Sequence, residues 1–126
     1  MLDLTNNQFG DAGLTMIFRE GLSNGCRIRD LAYGGGSKLK KHGKIESFRV
    51  IQTFTHIKKL DLSLLTITSK EENSALTELL SANLTLEDIK LPKIQIENNE
   101  LEAACYEIFG AVIQHRTLIY ANLSFF

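Results

Sequence analysis

A triplet of apolar residues recurs along the chain at a regular spacing. Its clearest copies are Ile28-Arg29-Asp30-Leu31-Ala32-Tyr33, Ile57-Lys58-Lys59-Leu60-Asp61-Leu62 and Leu86-Glu87-Asp88-Ile89-Lys90-Leu91. The middle apolar position recurs every 29 residues from residue 2 to residue 89, and a fifth copy has its middle position at residue 121. Because apolar and polar residues alternate within each triplet, the pattern predicts short strands that are buried on one face.

Between the triplets, the apolar residues follow the three-to-four-residue spacing of an amphipathic helix. The third interval gives the clearest signal. Ser69-Lys70-Glu71-Glu72 has the form of a capping box, in which the Ser69 hydroxyl accepts from the Glu72 amide while Glu72 reaches back. An apolar stripe follows this box at Leu76, Leu79, Leu80 and Leu84.

Three further helices are predicted from the same spacing. The first is expected to be capped by Asp11, the second to run from about Ile45 to Thr55, and the fourth to open at Asn99-Glu100-Leu101. Their expected buried positions are, in chain order, Leu14, Ile17, Phe18 and Leu22; Phe48, Ile51 and Phe54; and Leu101, Cys105, Ile108, Phe109 and Val112.

Each unit is therefore expected to be a strand, a turn and a helix. Strands that run in the same direction and are joined by helical returns lie parallel, and stacked units bury a core that no single unit can bury alone. We expect one domain over residues 1–126, with units at approximately 1–27, 28–56, 57–85, 86–117 and, in part, 118–126.

The pattern resembles the leucine-rich repeat, LxxLxLxxNxL, in its ribonuclease-inhibitor-like form of about 29 residues. The first unit, Leu2-Asp3-Leu4-Thr5-Asn6-Asn7-Gln8-Phe9, matches best, with Asn7 at the asparagine position. The resemblance implies an α/β leucine-rich-repeat solenoid, a horseshoe segment with parallel strands on the concave face and helices on the convex face.

Later units depart from that motif at the turn that follows each strand. The asparagine position holds Gly36, Leu65 and Ile94, so the ladder of hydrogen bonds at the turn is expected to be interrupted. The second unit carries Gly34-Gly35-Gly36, which we expect to turn the backbone tightly or to let a neighbour approach.

Composition places the chain among globular proteins. It has 126 residues, 44% of them hydrophobic, and a net charge of -1. Its two cysteines fit neither a CxxC redox motif nor a zinc site, and no apolar run is long enough to cross a membrane. The amino terminus lacks the pattern of a signal peptide. We therefore expect an intracellular, cytoplasmic protein with no membrane contact, and leave open a secreted effector without a classical signal peptide.

The charge is distributed unevenly. Residues 1–63 carry a net charge of +4 and residues 64–126 a net charge of -5. The lysines between positions 38 and 44 are expected to form a solvated loop, and the lack of interleaved aromatic residues argues against nucleic acid as a partner. Because no polar cap is evident at either end, we expect a fragment of a longer array, and the opposite charges of the halves suit end-to-end self-association.

Nothing in the sequence predicts an enzyme. The three histidines fall in different units without metal-ligand spacing, and no Ser/His/Asp constellation can be assembled. We expect no catalytic residue, no cofactor and no metal.

The polar strand positions are the candidate binding site, because alternate side chains point away from the core and stack in columns. We expect a protein partner of unknown identity to dock there, on Asp30, Lys59, Asp61, Asp88, Lys90 and Tyr120. The predicted function is non-enzymatic protein–protein interaction. The resemblance implies as alternatives a GTPase-activating or other regulatory repeat module, for which Arg19, Arg27 and Arg49 carry no supporting motif. A structural or sensor segment of a larger protein, such as a pathogen effector or innate immune receptor, is a further alternative.

Overall fold

The computed structural model describes residues 2–7, 10–22, 27–35, 39–83, 85–96, 100–115 and 120–122, and only the backbone at 20–22 and 120–122. Strands and helices alternate along most of the chain. In order, the elements are β1 (Leu2–Thr5), α1 (Gly10–Met16, continued by a π-helical turn, Ile17–Leu22), β2 (Asp30–Gly34), α2 (Lys41–Ile51), β3 (Lys59–Asp61), β4 (Thr66–Ile67), α3 (Lys70–Ala82), β5 (Asp88–Lys90), β6 (Lys93–Ile94), α4 (Leu101–Gln114) and β7 (Tyr120–Asn122).

Five of the strands form one parallel sheet in the order β1-β2-β3-β5-β7. The middle residues of the apolar triplets pair in register, with Leu31 between Leu2 and Leu60, and Ile89 between Leu60 and Ala121. The prediction of a mixed α/β fold with parallel strands is therefore confirmed. The horseshoe curvature of a solenoid, with its concave and convex faces, is not shown.

The core lies between this sheet and the helices. Each helix packs against the next, α1 on α2, α2 on α3 and α3 on α4. Leu31, Leu60 and Ile89 from the strands and Phe48 and Leu80 from the helices all belong to one buried cluster. Each such side chain stabilises the fold by about 1.5–3 kcal/mol when it leaves water. Burial of alternate strand residues leaves their polar neighbours on the outer face of the sheet.

The capping box opens α3 as predicted. The Ser69 hydroxyl accepts a hydrogen bond from the Glu72 amide at 3.2 Å. Of the predicted stripe, Leu76, Leu79 and Leu80 are fully buried, and Leu84 lies outside the described residues.

The predicted start of the second helix and the predicted cap of the first are both corrected. α2 begins at Lys41 rather than near residue 45 and ends at Ile51. Asp11 lies in the first turn of α1, where its carboxylate accepts from the Lys40 amide at 2.6 Å. The two helices approach closely there, since a Cβ at Gly43 would lie 2.3 Å from Asp11 Oδ1. A contact between units, invisible in the local pattern, therefore places the beginning of α2.

The buried side of α4 agrees only in part with the predicted stripe. Ile108 is buried and Val112 is partly buried against the core as predicted, but Leu101 is 38% exposed, and the other buried residues are Ala104 and Ala111. The Asn73 side-chain amide on α3 donates to the Ala104 carbonyl on α4 at 3.2 Å and joins the two helices. The side of α4 that faces the core thus carries two alanines that the apolar period did not select.

A second, two-stranded parallel sheet lies in the third and fourth units, after the strands at whose turns no asparagine was expected. β4 pairs with β6, with Thr66 beside Lys93 and Ile67 beside Ile94. Leu65 and Ile94, at the asparagine positions of those units, are both buried. These turns are thus held by backbone pairing and apolar packing, not by an asparagine side chain.

A buried ion pair joins α2 to α3. Lys44 pairs with Glu72, and their side chains are 10% and 0% exposed. Lys44 Nζ also donates to the Thr66 carbonyl at 2.7 Å. Glu72 Oε2 accepts from the Ser69 hydroxyl at 2.7 Å and from the Thr68 hydroxyl at 2.9 Å. The network ties both helices to β4.

Candidate functional site

The predicted site residues lie side by side on the outer face of the sheet. Asp30 pairs in register with Lys59, Lys59 with Asp88, and Asp88 with Tyr120. Asp61 follows Lys59 by two positions on β3, and Lys90 follows Asp88 by two positions on β5. Asp61 and Lys90 therefore pair in register with each other. Of Tyr120 only the backbone position is described. Charges of opposite sign therefore alternate from strand to strand over a shallow depression of about 280 Å³.

Among the described residues of this outer face, one loose ion pair is present. Lys90 Nζ lies 3.9 Å from Asp61 Oδ2, and the two side chains are 52% and 32% exposed. An exposed pair of this length contributes at most about 1 kcal/mol, because water screens it. Both charges therefore remain available to a ligand.

The Asp61 carboxylate is held in place by its own strand. Its Oδ1 accepts from the Ser63 amide at 2.9 Å and from the Ser63 hydroxyl at 2.6 Å, which leaves Oδ2 for Lys90. On β1, Asp3 Oδ1 likewise accepts from the Thr5 amide at 2.9 Å and from the Thr5 hydroxyl at 2.6 Å. Hydrogen bonds from the Thr5 hydroxyl and amide lower the pKa of the Asp3 carboxyl. The shared Asp-x-Ser/Thr spacing was the signal in the sequence that sequence reasoning missed.

The glycines after β2 let the backbones of neighbouring units meet. Gly34 and Gly35 have φ angles of +111° and +86°. The Asn6 amide donates to the Gly34 carbonyl at 2.7 Å, and the Gly35 amide donates to the Leu64 carbonyl at 3.1 Å. Of the two expectations, the close approach of a neighbour is present at these two residues, and Gly36 lies outside the described part.

A concavity at the edge where the strands begin was not predicted. Its volume is about 780 Å³, and its walls carry Arg27, Arg29, Lys58, Lys59 and Glu87. Sequence reasoning considered only the lysines between 38 and 44. The overlooked signal was the pair of basic residues that precedes two adjacent strands at an equivalent position, Arg29 being 29 residues before Lys58.

Chemistry-bearing side chains are dispersed elsewhere in the described residues. No three His, Cys, Asp or Glu side chains group there as metal ligands, and no helix among those residues could span a membrane. His42 and His56 are exposed, and His115 Nε2 lies 2.5 Å from the Asn83 carbonyl oxygen. Burial raises the pKa of the Cys105 thiol, which disfavours the reactive thiolate.

The arginines considered for the GTPase-activating alternative are placed as follows. Arg19 pairs with Glu46, and Arg49 lies 3.7 Å from the same carboxylate. Arg27 is exposed at the edge concavity.

Comparison with known proteins identifies the fold but no family. No family model matches the chain, and neither does any curated protein. A solved structure described as leiomodin-1 actin-binding site 2 is similar, with a TM-score of 0.71 and 18% sequence identity. The match covers 95% of this chain and 68% of that one. At this identity the likeness shows a shared fold.

These findings correct the expected family. The ribonuclease-inhibitor-like leucine-rich repeat assignment is not supported, because no family model matches and the similar structure is described as an actin-binding site. The turns of the third and fourth units agree with this correction, since Leu65 and Ile94 stand buried where the motif requires asparagine. We therefore withdraw that assignment and the solenoid description that came with it.

Proposed function

We propose that this chain is a non-enzymatic protein-binding module that docks its partner on the outer face of the sheet. The observation that carries the proposal is the alternation of Asp30, Lys59 and Asp88 in register on neighbouring strands. Charges of alternating sign mainly determine the orientation and register in which a partner docks. They contribute less to the affinity.

The outer face is suited to a protein surface rather than to a small molecule. Its depression is shallow and open, with both Asp61 and Lys90 partly in water, whereas small-molecule sites enclose most of their ligand. A shallow, charged face of this kind fits a complementary protein surface.

The fold likeness suggests which protein to test first. The similar structure is described as an actin-binding site, and we propose actin as a partner of this chain. The support is the shared fold together with the charged outer face, and the proposal is tested by binding.

The test exchanges the two charges of one ion pair on the outer face. The double variant D61K/K90E keeps the net charge but inverts the pattern that a partner meets. The matched control is K41E/E71K, which exchanges an exposed pair on the helical side, where Lys41 Nζ lies 3.1 Å from Glu71 Oε2. Circular dichroism establishes that both variants fold.

Cosedimentation with filamentous actin and fluorescence titration with monomeric actin measure the outcome. We expect the wild type to bind, the outer-face exchange to weaken binding about tenfold, and the helical control to stay within about twofold of the wild type. Failure of the wild type to bind either form of actin rejects actin as the partner. Equal binding by the wild type and D61K/K90E rejects the outer face as the docking surface.

A further inference from the structure

The concavity at the edge where β2, β3 and β5 begin has an excess of positive charge. Arg27, Arg29, Lys58 and Lys59 lie on its walls together with the acids Asp30 and Glu87. Lys58 Nζ lies 3.1 Å from Glu87 Oε2, and because both side chains are partly in water this pair offsets their charges only in part. In the described part of the chain, no carboxylate lies within 4 Å of a charged nitrogen of the other three cations.

Backbone hydrogen bonds fix Arg29, Lys58 and Lys59 relative to one another. The amides of Lys58 and Lys59 both donate to the Arg29 carbonyl, at 2.7 and 2.9 Å. The amides of Glu87 and Asp88 both donate to the Lys58 carbonyl, at 2.9 and 3.0 Å. The segments that lead into the three strands are therefore joined directly, so the charged side chains start from a rigid edge.

The dimensions of this edge suit a short extended segment. Neighbouring strands lie about 4.8 Å apart, so the three strand starts span about 10 Å. An extended chain advances about 3.3 Å per residue, and about four residues cover that distance. Two arginine side chains at one end offer the forked donors that bind a carboxylate with two hydrogen bonds.

We infer that this concavity binds an acidic segment of a protein partner, with carboxylates at Arg27, Arg29 and Lys59. The inference rests on the proposed function and deepens it by naming the chemistry of the bound segment. Asp30 and Glu87 on the same walls would repel a continuous phosphate backbone, and the described residues of the lining include no aromatic ring on which a base could stack. A peptide can place its acidic residues beside the cations and its neutral residues beside these two acids.

The first experiment maps binding of a short capped peptide of alternating glutamate and glycine by the amide NMR shifts of the full chain. We expect a dissociation constant of about 1 mM or tighter at low salt. The shifts are expected to concentrate at Arg29, Lys59 and Glu87 and to disappear as salt rises. A glutamine–glycine peptide of the same length is the uncharged control. No binding, or shifts centred elsewhere, would overturn the inference.

The second experiment removes two of the cations. R27Q/R29Q is expected to weaken the acidic peptide about fivefold, whereas R27K/R29K should lose less because it retains the charge. The matched control is K40Q/K93Q, which removes two exposed cations outside the concavity and should stay within about twofold of the wild type. Equal loss in R27Q/R29Q and K40Q/K93Q would mean that only net charge matters and would overturn the inference.

An oligothymidine of similar length distinguishes nucleic acid from an acidic peptide. Tighter binding of the oligonucleotide than of the peptide, weakened by R27Q/R29Q, would assign the concavity to nucleic acid and overturn the inference. Because none of these measurements uses actin or alters Asp61 and Lys90, their failure is distinguishable from failure of the proposed docking face.

Discussion

Replacing Lys44 by methionine should destabilise the protein strongly. The Lys44 side chain is 10% exposed, and it pairs with a Glu72 carboxylate that is fully buried. Methionine fills a similar volume but cannot donate to Glu72 or to the Thr66 carbonyl, which Lys44 Nζ reaches at 2.7 Å. Removing one member of a buried ion pair leaves the other charge uncompensated and costs about 3–5 kcal/mol.

The partner substitution should cost less. In Glu72→Gln the side-chain oxygen can still accept from Ser69 and Thr68, which lie 2.7 and 2.9 Å from Oε2. Lys44 loses its ionic partner in this variant, but its ammonium group still donates to the Thr66 carbonyl and is slightly exposed to water. We expect a cost of about 1–3 kcal/mol. The double variant K44M/E72Q should be more stable than the added single costs predict, because the uncompensated carboxylate is gone.

Urea unfolding of the wild type, both single variants and the double variant, followed by circular dichroism, measures these four free energies of unfolding. A cost below about 1 kcal/mol for Lys44→Met would refute the reasoning, since no buried charge would then have been stranded. Additive single costs would refute it equally, because independent sites show no coupling.

The same network predicts how stability depends on pH. Burial raises the pKa of Glu72, but hydrogen bonds from Lys44, Ser69 and Thr68 and the charge of Lys44 outweigh it and lower the pKa below 4.5. A pKa lower in the folded than in the unfolded state means that the ionised carboxylate stabilises the fold above about pH 4.5. That contribution is lost as the pH falls through the folded-state pKa. Stability should therefore fall less steeply below pH 4.5 in Glu72→Gln than in the wild type, and equal slopes would contradict the assignment.

Three further predictions concern single positions. Gly35→Ala should lower the free energy of unfolding by about 1–3 kcal/mol, because φ is +86° and the new Cβ would lie 2.4 Å from Asn6 Oδ1. Gly110→Ala, where a Cβ meets nothing within 4 Å, should raise it by about 0.5–1 kcal/mol. Asn83→Ala should cost about 1–3 kcal/mol, because Asn83 is 2% exposed and donates to the Phe54 carbonyl. Thermal unfolding measures all three; equal melting temperatures for the two glycine variants, or an unchanged one for Asn83→Ala, would contradict these arguments.

The strands and the best-marked helix could be predicted because their signals are local. Alternation of apolar residues identified β2, β3 and β5, and the equal spacing predicted the pairing of Leu31 with Leu60 and of Leu60 with Ile89. Shifting a strand by one residue would bury Asp61 and expose Leu60, so the register has little freedom. The start of α3 could be predicted for the same reason, because its capping box consists of four consecutive residues from Ser69 to Glu72.

Features that depend on contacts between units escaped prediction. At the start of α2, the Lys40 amide donates to the carboxylate of Asp11, which lies 29 residues earlier in the chain. On α4, the Ala104 carbonyl accepts from the side chain of Asn73, 31 residues away. Such contacts join positions that no local window contains, and the apolar period alone assigns the largest side chains to the core.

The candidate site divides in the same way. Asp30, Lys59, Asp61, Asp88 and Lys90 could be assigned to one face from the alternation alone, because strand geometry sends polar neighbours to the side opposite the core. The cations at Arg27 and Arg29 lie outside the strands, where the alternation of buried and exposed residues does not predict the direction of a side chain. Only the tertiary structure shows that they line the same concavity as Lys59.

The sequence by itself therefore determined the parallel strands, their register and the charged outer face. Periodic burial fixes all three, because an apolar residue in water and a charge in the core are both costly. The tertiary structure decided which polar groups meet. Lys44 and Glu72 are 28 residues apart, and only the packing of α2 on α3 over β4 makes them a buried pair. Long-range polar contacts follow from the relative positions of whole elements, which the packing of the core sets.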